Sequence, residues 1–113
     1  MIAWLMGLNT ISVESLQQRV RDRQVTVVDV NARGSWMRAH VPGALHLDAE
    51  QYSASDLPAD THAPLVFYCS NPLCRKAPNA ARRAIRMGYA NVQVLPAGIS
   101  GWLSAGGRVE SGA

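Results

Sequence analysis

Residues 65–76 read LVFYCSNPLCRK, and this stretch decides the fold. Four apolar or aromatic residues, Leu65 to Tyr68, lead directly into Cys69. A short polar loop and two cations follow, and an alanine-rich helical pattern begins near Pro78. This order predicts a strand, a cysteine loop and a helix. A thiol in front of a helix N-terminus is favoured as the thiolate, and the backbone amides there point at bound anions. We expect the rest of the chain to be a scaffold for this loop.

The length and composition of the chain favour one globular domain. Its 113 residues are 48% hydrophobic and 17% charged, which is not the composition of a disordered chain. The two cysteines, Cys69 and Cys74, are five positions apart, unlike a scattered disulfide framework. This spacing indicates a reactive or redox-active thiol in a reducing compartment, which we predict to be the cytoplasm.

The chain begins with the apolar segment MIAWLMGL, residues 1–8. It is too short to cross a membrane, which takes about 20 residues, and it lacks the basic region of a signal peptide. We expect an N-terminal apolar extension at 1–10, forming an extra strand or arm on the domain surface, or a dimer contact. The domain is predicted at 11–110 and a tail at 111–113. A monomer or weak dimer without a membrane partner is expected.

Charge is distributed unevenly along the chain. The net charge is +3, and no Asp or Glu lies between Asp60 and Glu110. The cations in that span are Arg75, Lys76, Arg82, Arg83, Arg86 and Arg108. Such a basic half attracts small anions. Nucleic acid is not an expected partner, because few aromatic residues accompany the cations and the sequence has no nucleic-acid-binding motif.

Strand and helix patterns alternate along the sequence. Runs of β-branched and apolar residues predict strands at 25–30, 44–47, 65–68 and 92–95. Helical patterns predict helices at 13–23, about 78–87 and about 97–103. Residues 33–39 predict a short helix or turn, and residues 48–60 predict a connection with at most one helical turn. The alternation predicts an α/β fold with a central, mainly parallel sheet and helices on both faces.

A few polar and aromatic residues stand out near the predicted strand ends. Asp29 ends a strand, where sites assemble in α/β sheets, and we expect it to orient backbone or arginine groups near the loop. His40 and His46 are expected to be hydrogen-bonded structural residues. Trp36 and Trp102 are expected to be core anchors.

Five motifs follow one another in a characteristic order: VVDV at 27–30, HVPGA at 40–44, YC at 68–69, GYANV at 88–92 and GISGW at 98–102. Together they resemble a single-domain rhodanese-like protein over about residues 11–109. The resemblance implies a parallel α/β fold. It also implies a cysteine that takes a sulfane sulfur from a donor such as thiosulfate and passes it, as a persulfide, to a nucleophilic acceptor.

Carried over by position, the resemblance makes Cys69 the sulfur-bearing nucleophile and the following loop the cradle for the reacting anion. The loop cations and the helix N-terminus are expected to hold the pKa of this thiol below its ordinary value of about 8.5. No cofactor is expected, and a Cys-x4-Cys pair without a second pair is poor zinc spacing. The predicted substrate-binding residues are Ser70, Asn71, Leu73, Cys74, Arg75 and Lys76.

The sequence departs from the family pattern in three ways. Asn31 stands where the strand motif usually has arginine, and it is not counted as a site residue. The loop is longer than in the simplest members and resembles a subgroup that reads Cys-Ser-Asn-Pro-x-Cys. Cys69-x5-Arg75 also has the spacing of the phosphatase and arsenate-reductase branch, in which His normally occupies the position of Tyr68.

These departures leave alternatives open. Cys74 is interpreted in three ways: a resolving thiol that forms a disulfide with Cys69, a sulfur relay, or a small buried residue. The first functional prediction is a sulfurtransferase with a small anionic donor and a thiol or protein acceptor. The alternatives are a Cys-x5-Arg phosphatase or arsenate reductase, and a non-catalytic sulfur carrier or redox sensor.

Overall fold

A computed structural model describes residues 7–112. Strands and helices alternate through this part of the chain. The elements are α1 (Val13–Arg21), β1 (Thr26–Asp29), α2 (Arg33–Arg38), β2 (Leu45–His46), a 3-10 helix (Ala54–Asp56), β3 (Leu65–Tyr68), α3 (Lys76–Arg86), β4 (Val92–Val94) and α4 (Gly98–Ser104).

The four strands form one parallel sheet in the order β2-β1-β3-β4. Every residue of β3 is buried, as expected for an inner strand covered on both faces. Asp29, the last residue of β1, is paired in register with Tyr68, the last residue of β3. The carboxyl ends of these two strands therefore meet at one edge of the sheet, and Cys69 follows there. The predicted α/β architecture is confirmed.

Each face of the sheet has its own hydrophobic core. On one face Val28 and Phe67 pack with the alanines of α3, whose small side chains are fully buried. On the other face Tyr68 and Leu95 pack with Leu16 of α1 and Trp102 of α4. Trp102 is 2% exposed, which confirms it as a core anchor, and truncation of such a residue to Ala typically costs about 3–5 kcal/mol. The helices thus hold the sheet from both sides.

The observed boundaries differ from the predicted ones at several ends. Helix α1 stops at Arg21, because the Asp22 amide still donates to the Gln18 carbonyl while Arg23 adopts a positive φ of 54°. Helix α3 begins at Lys76, which places Pro78 inside its first turn. Proline is tolerated there because the first amides of a helix have no helical acceptor. Strands β1, β2 and β4 are each shorter than predicted by one or two residues.

The predicted connection at 48–60 contains the 3-10 helix and also contributes to the core. Tyr52 is 3% exposed, and its hydroxyl donates to the Ala80 carbonyl of α3 at 2.6 Å. The Arg83 Nε–H donates to the Tyr52 carbonyl at 2.8 Å. Burial raises the pKa of Tyr52 to about 12, so its hydroxyl keeps its proton at neutral pH. The polar composition around Tyr52 gave no sign of this anchoring role.

The N-terminal extension predicted at 1–10 falls largely outside the described residues. Where the description begins, Asn9 and Ile11 exchange hydrogen bonds with Val94, and Thr10 forms a parallel bridge with the same residue. This segment therefore covers the β4 edge of the sheet. Between residues 7 and 112, none of the helices combines the length and the apolar character needed to cross a membrane.

Candidate active site

Cys69 lies at the carboxyl end of β3, next to the middle of the sheet. It is 3% exposed, and its carbonyl accepts a hydrogen bond from the Ile99 amide at 2.9 Å. Its sulfur is bonded to that of Cys74, with the two Cα atoms 6.4 Å apart. Of the three interpretations of Cys74, the structure thus shows the pairing that a resolving thiol requires.

Asn71 shapes the loop that brings the two cysteines together. Its side-chain Oδ1 accepts a hydrogen bond from the Leu73 amide at 2.9 Å, and its carbonyl accepts one from the Cys74 amide at 3.1 Å. These bonds close a tight turn in which Asn is favoured because its side chain satisfies the backbone two residues on. In this disulfide-bonded state, two backbone amides of the predicted anion-binding loop therefore donate their hydrogen bonds to Asn71 in the same loop.

Helix α4 supports the loop from the opposite side. The Ile99 and Ser100 amides donate to the carbonyls of Cys69 and Ser70 at 2.9 and 3.0 Å. Gly98 has a φ of +64°, and a Cβ built there would lie 2.6 Å from the Ser70 carbonyl carbon. Glycine is needed because the loop backbone occupies the space that a side chain would fill. This contact gives the GISGW motif a physical reason.

Two cations and a helix N-terminus directly follow the cysteine pair in the chain. Helix α3 begins one residue after Arg75, and its first turn contains no acidic residue. Arg75 and Lys76 are exposed, and neither forms an ion pair with any residue in the described part of the chain. The helix dipole and these two cations add to one another, so the site favours a thiolate or a bound anion.

A buried polar cluster joins the ends of β1 and β3, directly before the cysteine in the chain. The Tyr68 hydroxyl donates to Asp29 Oδ2 at 2.5 Å and accepts a hydrogen bond from the Val41 amide at 3.1 Å. Asp29 Oδ1 accepts from the Asn31 amide at 2.8 Å. Burial raises the pKa of Asp29, and burial together with the Asp29 carboxyl raises the pKa of Tyr68 well above its ordinary range.

This cluster was not predicted, although Asp29 had been singled out. We expected Asp29 to orient backbone or arginine groups; it holds the Asn31 amide and a tyrosine hydroxyl. The signal that could have revealed the pair is register, because Asp29 and Tyr68 end adjacent parallel strands with their side chains on the same face. Tyr68 had been noted only as the residue that replaces a histidine.

The histidines and the asparagine near the site make local hydrogen bonds. His40 Nδ1 lies 2.7 Å from the Trp36 carbonyl, and its ring stacks on the Trp36 ring at 4.3 Å. His46 Nε2 lies 2.7 Å from the Asn31 carbonyl. Trp36 is half-buried rather than a full core anchor. The hydrogen-bonded, structural character predicted for both histidines agrees with these contacts.

The predicted substrate-binding residues are not equally placed. Ser70 and Cys74 are half-buried against the cysteine, whereas Asn71, Arg75 and Lys76 are exposed. Leu73 is 81% exposed at the loop tip, so it contributes its amide to the turn and its side chain to the surface. Among residues 7–112, the structure brings together no group of three His, Cys, Asp or Glu side chains that could hold a metal ion.

Known proteins are similar to this chain in sequence. The family described as Rhodanese-like domain matches residues 12–105. Thiosulfate sulfurtransferase GlpE of Shewanella oneidensis is 30% identical over 95 residues, which cover 84% of this chain and 92% of that protein. The HTH-type transcriptional regulator Rv0324 of Mycobacterium tuberculosis is 30% identical over 105 residues, which cover 93% of this chain and 46% of the regulator.

Solved structures show the same likeness of fold. The crystal structure of the BH2092 protein from Bacillus halodurans matches with a TM-score of 0.83 at 23% identity, covering 91% of this chain and 77% of that one. At this level of identity, the likeness shows the fold of the chain.

Proposed function

The chain belongs to the rhodanese-like domain family, and from this membership we propose that it is a thiosulfate sulfurtransferase in which Cys69 carries the transferred sulfur. One observation supports the assignment to Cys69 above all others. This residue directly follows the inner strand β3 and opens a loop in front of the α3 N-terminus, and the two cations of that loop, Arg75 and Lys76, form no ion pair with a residue in the range 7–112.

The proposed reaction begins with the reduced form of the site. The Cys69 thiolate attacks the outer sulfur of thiosulfate, the sulfur–sulfur bond of thiosulfate breaks, and sulfite leaves with the bonding electrons. A nucleophilic acceptor, a thiol or a protein, then attacks the outer sulfur of the persulfide and restores the Cys69 thiolate. Because Cys69 must be a free thiol to react, the proposal includes a reducing compartment, the cytoplasm.

The α3 N-terminus and the cations have a defined task in this proposal. Thiosulfate and the departing sulfite are dianions, and the persulfide is also negatively charged at neutral pH. Arg75 and Lys76 attract the donor, and the amides at the start of α3 stabilise the charge that moves to the leaving group. Neutral acceptors such as thiols do not depend on these groups to the same extent.

Replacement of Cys69 tests the proposal. Reduced wild-type protein treated with thiosulfate should release sulfite and should form thiocyanate from cyanide. Cys69→Ser should lose both signals, whereas Cys74→Ser should gain one sulfur atom on the peptide that contains Cys69, as read by mass spectrometry. A Cys69→Ser protein that transfers sulfur as fast as wild type would assign the reaction to another residue.

The Cys69-x5-Arg75 spacing supports a second candidate, a phosphatase or arsenate reductase. In that chemistry Arg75 would hold a tetrahedral oxyanion in the loop. Tyr68 replaces the usual histidine, and its hydroxyl is turned to Asp29 rather than toward the cysteine sulfur. Parallel assays of phosphate-ester hydrolysis, arsenate reduction and thiocyanate formation decide between the candidates.

A third candidate is a sulfur carrier or redox sensor that uses both cysteines. The disulfide supports it, because a reversible thiol pair is what a sensor requires. A carrier accepts sulfur once and then turns over slowly with cyanide, so the ratio of single-turnover loading to steady-state thiocyanate formation separates it from the sulfurtransferase.

A further inference from the structure

We propose that the cysteine pair gives this protein a sulfide-releasing activity, in which Cys74 attacks the Cys69 persulfide and expels the outer sulfur as hydrosulfide. The inference rests on the proposed persulfide of Cys69. It goes beyond that function by naming the product and the group that forms it. The disulfide in the structure is then the product of this step.

The geometry supplies the first argument. The sulfur of Cys74 is bonded to the sulfur of Cys69 while β3, α3 and the turn around Asn71 all keep their hydrogen bonds. The loop fold that positions Cys69 therefore also delivers Cys74 to it. An attacking thiol must approach the Cys69 sulfur itself, and that is the atom which Cys74 reaches.

Access supplies the second argument. Cys69 is 3% exposed in this state, so a bulky external thiol has little room to approach its sulfur. Cys74 is half-buried, lies within the same loop and needs no encounter. An intramolecular nucleophile held in position is equivalent to a very high concentration of an external one. Cys74 should therefore outcompete free thiols for the inner sulfur of the persulfide.

The electrostatic setting supplies the third argument. Cys74 lies two residues before the first residue of α3, next to Arg75. A helix N-terminus and an adjacent cation favour the thiolate, which is the attacking species. The same positive environment that favours thiosulfate binding thus also prepares the resolving thiol.

The step balances in atoms and electrons. The Cys74 thiolate attacks Sγ of Cys69, a bond forms between the two Sγ atoms, and the bond from Cys69 Sγ to the outer sulfur breaks. The outer sulfur leaves with the bonding electrons and takes one proton from water, so that it is released as hydrosulfide. In total, thiosulfate and the reduced cysteine pair give sulfite, sulfide and the Cys69–Cys74 disulfide. An external dithiol then reduces the disulfide by thiol–disulfide exchange and begins the next cycle.

A single-turnover experiment tests the inference. Wild-type protein is reduced, freed of reductant under anaerobic conditions and mixed with excess thiosulfate. We expect sulfite and sulfide to appear in equal amounts, each equivalent to the protein, and the cysteine peptides to lose two hydrogens. Cys74→Ser should release sulfite but no sulfide, and should keep one extra sulfur atom on Cys69 until dithiothreitol is added.

Other outcomes separate the two proposals. Sulfite release with the sulfur retained on Cys69 of the wild type, and with Cys74 still free, overturns the inference and leaves the sulfurtransferase proposal standing. If neither protein releases sulfite or gains sulfur, the sulfurtransferase proposal itself fails. Cys74→Ala provides a second variant, and the far-ultraviolet circular dichroism of all three reduced proteins shows whether each is folded.

Discussion

The Tyr68 hydroxyl is both a donor and an acceptor in a fully buried position. It joins the Asp29 carboxyl of one strand to the Val41 amide of the connection that follows α2. Loss of a hydrogen-bond partner destabilises the fold far more at a buried polar group than at a solvated one, because no water replaces the lost bond. The residue before Cys69 therefore fixes the strand end from which the cysteine projects.

Tyr68→Phe should lower the free energy of unfolding by about 1–3 kcal/mol, because Asp29 Oδ2 and the Val41 amide each lose the hydroxyl that they bond. Urea denaturation of the reduced protein measures the loss. Tyr89→Phe is the matched control, because it removes only one bond, to the Pro58 carbonyl, from a part-buried site away from the cysteine. Equal decreases in the free energy of unfolding of the two variants would show that the Asp29–Tyr68 cluster stabilises the fold no more than a single ordinary hydrogen bond.

Asp29 gives the stability of the protein a defined pH dependence. Burial raises its pKa above the ordinary value of 3.8, so the folded protein holds this proton more tightly than the unfolded chain does. The stabilisation by protonation is complete below the unfolded pKa and is lost as the pH rises through the folded pKa.

Asp29→Asn should remove this dependence, because an amide keeps an acceptor for the Asn31 amide and does not titrate. The free energy of unfolding of wild type minus that of Asp29→Asn should fall as the pH rises from about 4 toward neutrality. Denaturant titrations of both proteins at matched pH values give this difference. A difference that grows with pH would mean that the carboxylate, not the acid, is the form that the fold favours.

At the scale of elements, the contact between α4 and the cysteine loop determines the position of the site. Helix α4 approaches so closely that its first residue touches the Ser70 and Asn71 backbone. The Ile99 and Ser100 amides then bind the loop carbonyls. A helix of seven residues thus fixes the start of a loop that belongs to another crossover.

Gly98→Ala should be more damaging than Gly106→Ala, although both residues have positive φ values, of 64° and 75°. The left-handed conformation costs an L-residue about 1–2 kcal/mol at either position. Only at Gly98 would the new Cβ also collide with backbone, whereas nothing lies within 4 Å at Gly106. We expect Gly98→Ala alone to slow sulfur transfer, measured as thiocyanate formation. Equal effects on stability and rate would remove the role assigned to this contact.

At the scale of the whole molecule, the architecture was largely predictable. Buried parallel strands appear as continuous β-branched or apolar runs, which is why β3 was predicted with its observed bounds and β1 with an error of one residue at each end. Such runs do not reveal which strands lie next to one another in the sheet. The Asp29–Tyr68 bond depends on β1 lying beside β3, and the core position of Tyr52 depends on where α3 packs.

The position of the cysteine loop in the fold was predictable from the sequence, but the bonding state of its two cysteines was not. The cysteine, the loop and the cations follow from local sequence. The pairing of Cys69 with Cys74 depends on the turn that Asn71 closes, and the sequence was compatible with three roles for the second thiol. The spacing of two cysteines does not reveal the distance between their Cα atoms, and that distance determines whether a disulfide forms.

The uneven distribution of charge along the chain should affect the KM for thiosulfate. Arg75→Gln should raise the KM for thiosulfate by roughly three- to tenfold at low salt, and added salt should reduce the difference from wild type. Arg23→Gln is the matched control. Arg23 precedes β1 and so lies at the amino ends of the strands, whereas the cysteine loop lies at their carboxyl ends. A steady-state salt series measures both variants. Equal changes in KM would assign the effect to net charge rather than to the loop.

The turn around Asn71 also affects how the protein withstands oxidants. A lone thiolate exposed to peroxide advances from sulfenic acid to sulfinic and sulfonic acids, and the last two are not restored by thiols. With Cys74 in bonding contact, a sulfenic acid on Cys69 condenses to a disulfide instead, and thiols reverse that bond. The second cysteine therefore limits oxidative damage to its first, repairable step, and extends the chemical lifetime of the residue on which the site depends.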